Sequence, residues 1–230
     1  MNRFNRTISL IGEDNFNKIQ NLKVAIIGLG GVGGYTAETL ARMGVNNLIL
    51  VDYDTIDITN INRQIIATTD NIGNKKVLEF KKRIEKINNR ANIITLDMFL
   101  NEDNIDKLLE YKIDYIVDAC DSLNTKKLII SICNKYNIKL ISSLGMGNKL
   151  HPEKIEITTL DKTNYDPIAK ILRKYVKDNH INNKITVIFS SEKPLKKDKV
   201  ITSVSFVPSI AGIYATSYII NDYLNKSSKE

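Results

Sequence analysis

The chain has only two cysteines in 230 residues, Cys120 and Cys133, and no CxxC pair. That excludes a disulfide framework and a cysteine zinc knuckle. Its two histidines, His151 and His180, stand apart with no metal-ligand pattern around them. Long apolar runs are also missing. The longest, such as 24–29 and 48–51, have the length of buried strands and fall far short of the ~20 residues that span a membrane. The polar start "MNRFNRTISLIGEDNFNK" lacks the apolar stretch of a secretion signal. No internal repeat, linker or low-complexity segment stands out. These absences lead us to expect a cytoplasmic protein with no membrane partner, and the length suits a single domain, residues 1–230, with an N-terminal arm of about residues 1–20.

What is present is ordinary in bulk and uneven in detail. Hydrophobic residues make up 43% and charged residues 26%, as in a typical globular protein. The net charge is +7, and residues 168–199 hold nine Lys/Arg (170, 173, 174, 177, 184, 193, 196, 197 and 199) against three acids, which is +6 of it. A basic face for a polyanion is one reading of that segment, with Arg173 and Lys174 on a predicted helix as its centre; a merely solvated helix face is the other.

Periodicity gives the architecture. "KVAIIG" reads as a buried strand, "VGGYTAETLARMG" as a helix and "NNLILVD" as a second strand, which together make a βαβ unit. The alternation continues through an amphipathic helix with Val77, Phe80, Ile84 and Ile87 on one face, strand "NIITL", short helix "EDNIDKLLEY", strand "DYIVDA", helix "NTKKLIISICNKYN" and strand "IKLISSL". Parallel strands joined this way form a doubly wound, Rossmann-like α/β sheet. After Gly147 the order changes to strands "KIEITTL" and "KITVIFS" around a helix over 166–178, so the mostly parallel sheet should carry an antiparallel extension toward the C-terminus. Small residues at helical spacing in "SIAGIYATSYIINDYL" predict a last helix that packs closely. The longest irregular stretch is 53–74, and long loops in compact domains are often functional.

Gly28, Gly30 and Gly33 fit G-x-G-x-x-G between the first strand and its helix: a tight turn, close approach of backbone to phosphate, and a helix N-terminus aimed at negative charge. Asp52 ends the next strand, where an acid accepts hydrogen bonds from ribose hydroxyls. To this point the ligand could be NAD. The segment "DYDTIDITNINRQ" then brings Asp54, Asn60, Asn62, Arg63 and Gln64, followed by Lys76 in "IGNKK" and Asp121 in "DACDS". Cations for three phosphates, here Arg63 and Lys76, and a carboxylate for Mg²⁺, here Asp121, suit ATP adenylation better than hydride transfer.

Through "RFNR", "GLGGVG", "LVDYD", "NINRQ", "IGNKK" and "DACDS" the chain resembles the ubiquitin-activating-enzyme-like adenylating family over most of its length. The resemblance implies that Gly28, Gly30, Gly31 and Gly33 flank the ATP phosphates, Asp52 holds the ribose, and Asn62, Arg63 and Lys76 address the phosphates. It implies further that Asp121 holds Mg²⁺ and that Arg6 enters the site of a neighbouring subunit in a homodimer. Sulfur-carrier activators of this family typically bear two CxxC pairs and often a reactive cysteine, which this sequence lacks. "NRQIIATTDNIGNKK", "KIEITTLDKTNYDPIAKILRKYVK" and "VIFSSEKP" resemble instead its RNA-modifying branch, the transfer RNA threonylcarbamoyladenosine dehydratases, whereas "SLGMGNKLHPEK" and "TSVSFVPSIAG" match that branch only loosely. The activity so implied is ATP-dependent cyclisation of a threonylcarbamoyl group beside the anticodon through an acyl adenylate, with transfer RNA as substrate and sulfur-relay or redox proteins as further partners. Two alternatives stand beside it: an activator of a small ubiquitin-like sulfur-carrier protein, and a non-catalytic NAD-binding module.

Overall fold

The computed structural model describes residues 2–182, 184–195 and 201–226. Five residues of the basic segment, Asn183, Lys196, Lys197, Asp198 and Lys199, lie outside them. Seven strands form one sheet: β1 (Lys23–Ile27), β2 (Asn47–Val51), β3 (Asn92–Leu96), β4 (Tyr115–Asp118), β5 (Lys139–Ser143), β6 (Ile155–Thr159) and β7 (Thr186–Ser190), in the order β3-β2-β1-β4-β5-β7-β6. Every pairing is parallel except β6 with β7, which is antiparallel. The doubly wound sheet and its antiparallel extension are thus both present.

Helices cover both faces, because the strands are apolar on both. In β1, Val24 and Ile26 enter one buried cluster while Ala25 and Ile27 enter the other, and β2 divides Leu48 and Leu50 from Ile49 and Val51 in the same way. The first face is covered by α2 (Glu13–Asn21), α3 (Gly33–Met43), α4 (Lys76–Ile87) and α8 (Phe206–Lys226); the second by α5 (Ile105–Leu109) and α6 (Leu123–Tyr136). Beyond β5, α7 (Pro167–Asp178) buries Ala169, Leu172 and Val176 against a third cluster. Its start follows from local chemistry: Asp166 caps the N–H of Ala169 at 3.0 Å, and Pro167 occupies the first turn, where a missing N–H costs nothing.

The N-terminal residues are more ordered than their polar composition implies. Residues 5–11 form α1 (Asn5–Ile11), and α2 follows after Gly12. Phe4 and Phe16 are buried with their rings 5.4 Å apart, so two aromatics and Ile19 anchor a segment otherwise rich in Asn. The stretch 53–74 is likewise built rather than loose. Two 3-10 turns, at Ile58–Asn60 and Thr69–Asn71, are each closed by a reciprocal capping box, Asp57 with Asn60 and Thr68 with Asn71.

α8 lies against α3 at Gly212, where a Cβ would stand 2.3 Å from the Val32 carbonyl oxygen and 2.8 Å from Tyr35 Cβ. Backbone cannot yield as a side-chain tip can. Gly212→Ala should therefore destabilise the fold by about 2 kcal/mol, a fall in Tm of about 6 °C for a domain of this size, measured by thermal unfolding monitored by circular dichroism.

Candidate active site

The strand order reverses between β1 and β4, and the carboxyl ends of these strands open into a cavity of about 250 Å³. Open α/β sheets bind ligands at this switch point. Three elements build its wall. The turn after β1 is held in place by Gly28 at φ 88°, where a Cβ would meet the Ala119 carbonyl oxygen at 2.8 Å, and by Gly33, where it would strike the Gly28 oxygen at 1.8 Å. No residue but glycine fits either place. Gly30 and Gly31 line the cavity ahead of the α3 N-terminus, where the Gly34 N–H donates to the Gly30 carbonyl at 3.0 Å.

Asp52 is buried at the end of β2 and accepts the N–H of Leu29 at 2.6 Å on one oxygen and of Asp54 at 2.8 Å on the other. Burial pushes its carboxyl above the usual range, against the opposing pull of Lys76 and of those two N–H groups. Each oxygen keeps a second lone pair, so the carboxylate fixes the glycine turn and can still accept from a ligand hydroxyl. Lys76 is 4% exposed and its ammonium sits 2.8 Å from Asp54 Oδ2. This pair holds a cation at the cavity wall before any anion arrives.

The 53–74 segment supplies the rest. Asn60, Arg63 and Gln64 line the cavity, and Arg63 is held by the Thr59 carbonyl at 2.8 Å and Asn62 Oδ1 at 3.0 Å. Gln64 Oε1 is buried with no partner among the described residues, an arrangement that a donor on a bound ligand would satisfy. Asp121 is exposed on the turn between β4 and α6 and faces the same cavity.

Two candidates stand elsewhere. Asn62 does not line the cavity; its amide donates to the Ser203 carbonyl at 3.0 Å and ties the loop to the segment ahead of α8. Arg6 is exposed on α1, away from the cavity of its own chain. The basic helix also reads differently in three dimensions. Arg173 donates to the Thr163 carbonyl at 3.0 Å and to Thr163 Oγ1, and Lys174 pairs with Asp178 at 2.7 Å. Arg173 is therefore a structural tie and not a free cation.

Sequence reasoning missed the apolar wall formed by Tyr53 and Phe99, which meet edge to face at 5.1 Å beside Met98 and Leu100. It missed as well the buried network next to the Ala119–Ser122 wall. Lys126, 1% exposed, places its ammonium 3.0 Å from both oxygens of the fully buried Asp118 and 2.7 Å from the Ser143 carbonyl, while Ser142 Oγ donates to Asp118 at 2.5 Å. Cys120 lies at the cavity wall, and its Sγ donates to Asp118 Oδ1 at 3.1 Å. Burial, then the Asp118 charge, raises its thiol far above the ordinary range, and burial pushes the Cys133 thiol up to about 12. Neither is a ready nucleophile.

A glycine turn, a buried acid, two cations and a carboxylate around one switch-point cavity define a nucleotide-binding α/β protein of the adenylating type. The family profile agrees: it matches residues 4–221, and the chain belongs to the ThiF family. It is 37% identical to the tRNA threonylcarbamoyladenosine dehydratase of Bacillus subtilis (strain 168), over 97% of this chain and 95% of that protein. The crystal structure of E. coli tRNA N6-threonylcarbamoyladenosine dehydratase, TcdA, in complex with AMP superposes with a TM-score of 0.94 at 31% identity, covering 99% of this chain and 96% of that one. The complex of the same enzyme with ATP gives the same values.

Gly30 separates binding from folding. A Cβ there would find nothing closer than Gln64 Nε2 at 3.8 Å, an ordinary contact, yet it would intrude where a phosphate must approach the backbone. Gly30→Ala should leave Tm unchanged and weaken ATP binding by about tenfold or more, a change of about 1.4 kcal/mol, measured by isothermal calorimetry.

Proposed function

We propose that this protein is an ATP-dependent dehydratase of the threonylcarbamoyl group on a transfer RNA adenosine. The observation that carries the reading is the union, in one cavity, of a glycine turn suited to nucleotide phosphates with the single thiol of Cys120, which burial keeps protonated. Such a site can activate a carboxylate, and it favours a second step that needs no enzyme nucleophile.

In the first step the substrate carboxylate attacks the α-phosphorus of ATP, and the bond to the β-phosphate oxygen breaks to release pyrophosphate. Arg63 and Lys76 stabilise the charge that grows on the phosphates, while the glycine turn holds them in line. In the second step an atom of the neighbouring carbamoyl group attacks the acyl carbon and gives up its proton, and AMP departs. A ring forms and the elements of water are lost overall. Because the attacking group is already tethered to the acyl carbon, proximity replaces a covalent enzyme intermediate, which is consistent with the raised thiols of Cys120 and Cys133.

Mg²⁺ fits the carboxylate on the rim. Asp121 would hold it at the cavity rim. When bound, the ion neutralises phosphate charge. The cytoplasm is the compartment this substrate implies, and among the described residues no helix is long and apolar enough to cross a membrane.

The test is AMP release from ATP in the presence of transfer RNA carrying the threonylcarbamoyl group, with the RNA nucleosides read by mass spectrometry for loss of one water. AMP release that depends on a small carrier protein and not on RNA would overturn the reading, as would nicotinamide binding without AMP. Asp121→Asn should lower turnover by about a hundredfold or more while leaving Tm unchanged, because the side chain is exposed.

The working unit in this reading is a homodimer whose Arg6 serves the partner's cavity, with the always-charged planar donor suited to phosphate. Arg6→Ala and Lys76→Ala chains, each nearly inactive alone, should complement when co-expressed. A mixed dimer has one site with both defects and one with neither, so activity recovers to about one site in four under random pairing by the two-fold symmetry. No recovery in a preparation shown to contain mixed dimers would place the action of Arg6 within its own chain.

A further inference from the structure

The part of the molecule beyond β5 carries side chains that the nucleotide cavity does not use. Asn164 and Tyr165 form a two-residue tip between two anchored neighbours. Thr163, on one side, is buried; its hydroxyl donates to the Leu160 carbonyl at 2.7 Å and its own carbonyl accepts from Arg173. Asp166, on the other, is buried and accepts the N–H groups of Ala169 at 3.0 Å and Gly145 at 3.1 Å. Pinned at both ends, the tip holds Tyr165 at φ 52°, a left-handed conformation that is strained for a bulky residue and persists only where the surroundings enforce it.

The strained residue contributes nothing to the core. Its ring is part of a side chain in a residue 61% exposed, and the Lys193 ammonium lies 4.9 Å from the ring centroid. On α7, which starts two residues after it, Lys170, Lys174 and Lys177 are exposed at the i, i+4, i+7 spacing that lines up one helix stripe, with Lys174 also paired to Asp178 at 2.7 Å. Exposed Lys162 lies on the approach to the tip. The contact of Asp166 with Gly145, two residues past the end of β5, sets the tip at the same carboxyl edge of the sheet as the turn that carries Asp121 on neighbouring β4. A polyanion whose reactive group enters the cavity passes this edge.

We propose that Tyr165 is a base-stacking platform for the RNA substrate: an unpaired base lies on the ring face that Lys193 leaves open, and the flanking phosphates run along the Lys170–Lys174–Lys177 stripe. The inference rests on the RNA reading of the proposed function. Unpaired loop bases are read by stacking on exposed aromatics, with a cation adding to the ring interaction. Strain explains why the position is occupied at a cost to folding: glycine would satisfy φ 52° and present no ring.

The test compares the intact protein with Tyr165→Gly and Tyr165→Phe for binding of the unmodified transfer RNA in a filter assay, with ATP binding measured in parallel. Tyr165→Gly should melt no lower than the parent, because it relieves the backbone, yet bind RNA about tenfold more weakly or worse. Tyr165→Phe should bind as the parent does, and ATP affinity should be the same in all three. Lys170→Glu combined with Lys177→Glu should reduce the slope of log Kd against log salt by roughly 1.5. Parent-like RNA affinity in Tyr165→Gly would overturn the platform, as would an equal loss in the Phe variant, which would assign the effect to the hydroxyl. Absence of RNA affinity in the parent itself would overturn the RNA reading on which the platform rests.

Discussion

The ion pair of Lys126 with Asp118 is the constraint on which the rest of the site depends. Two charges removed from water carry a desolvation cost of several kcal/mol each, recovered only when the geometry is good and every remaining polar site is met. Here it is met from four directions: Asp118 accepts from Lys126, Ser142 and Cys120, and the Lys126 ammonium also reaches the Ser143 carbonyl. The participants come from β4, β5, α6 and the turn between β4 and α6. A network with all members satisfied is rigid, because moving any one strands a buried charge. The turn bearing Asp121 therefore borders a fixed network.

Next to that network, the cavity charges lean on partners that are partly open to solvent or already engaged by backbone. Lys76 leans on Asp54, whose side chain is 45% exposed, so part of its field remains available to the cavity. Asp52 is turned to the opposite use: it spends one lone pair of each oxygen on the backbone of the glycine turn and its neighbour. Burial raises its carboxyl and Lys76 draws it back. The same low-dielectric wall that strengthens these interactions keeps the thiol of Cys120 protonated.

Much of this arrangement was legible in the sequence, and the exceptions have a common cause. Strand and helix periodicity revealed the doubly wound sheet, and the glycine spacing with Asp52 located the cavity, because each rests on local rules. The predicted strand "NIITL" coincides with β3. What escaped depends on partners distant in sequence. Lys126 sits in the predicted helix "NTKKLIISICNKYN", and nothing nearby signals that its ammonium meets Asp118. Arg173 looked like a free cation for the same reason, its acceptors being ten and thirteen residues away. The Tyr53–Phe99 wall joins residues forty-six positions apart. The two capping boxes of the 53–74 segment were readable in principle, since Asp57 and Thr68 each precede an Asn by three positions, a spacing known to close a turn.

The helix that backs the glycine turn follows every strand of the sheet in chain order. Residues 206–226 form α8, whose Gly212 lies on the backbone of α3 and whose Pro208 stands 3.0 Å from the position of a Cβ on Gly31. During synthesis the sheet strands and the glycine turn emerge first, but the turn lacks its backing until α8 clears the ribosome. A chain interrupted before that point leaves bare the α3 surface on which Gly212 packs.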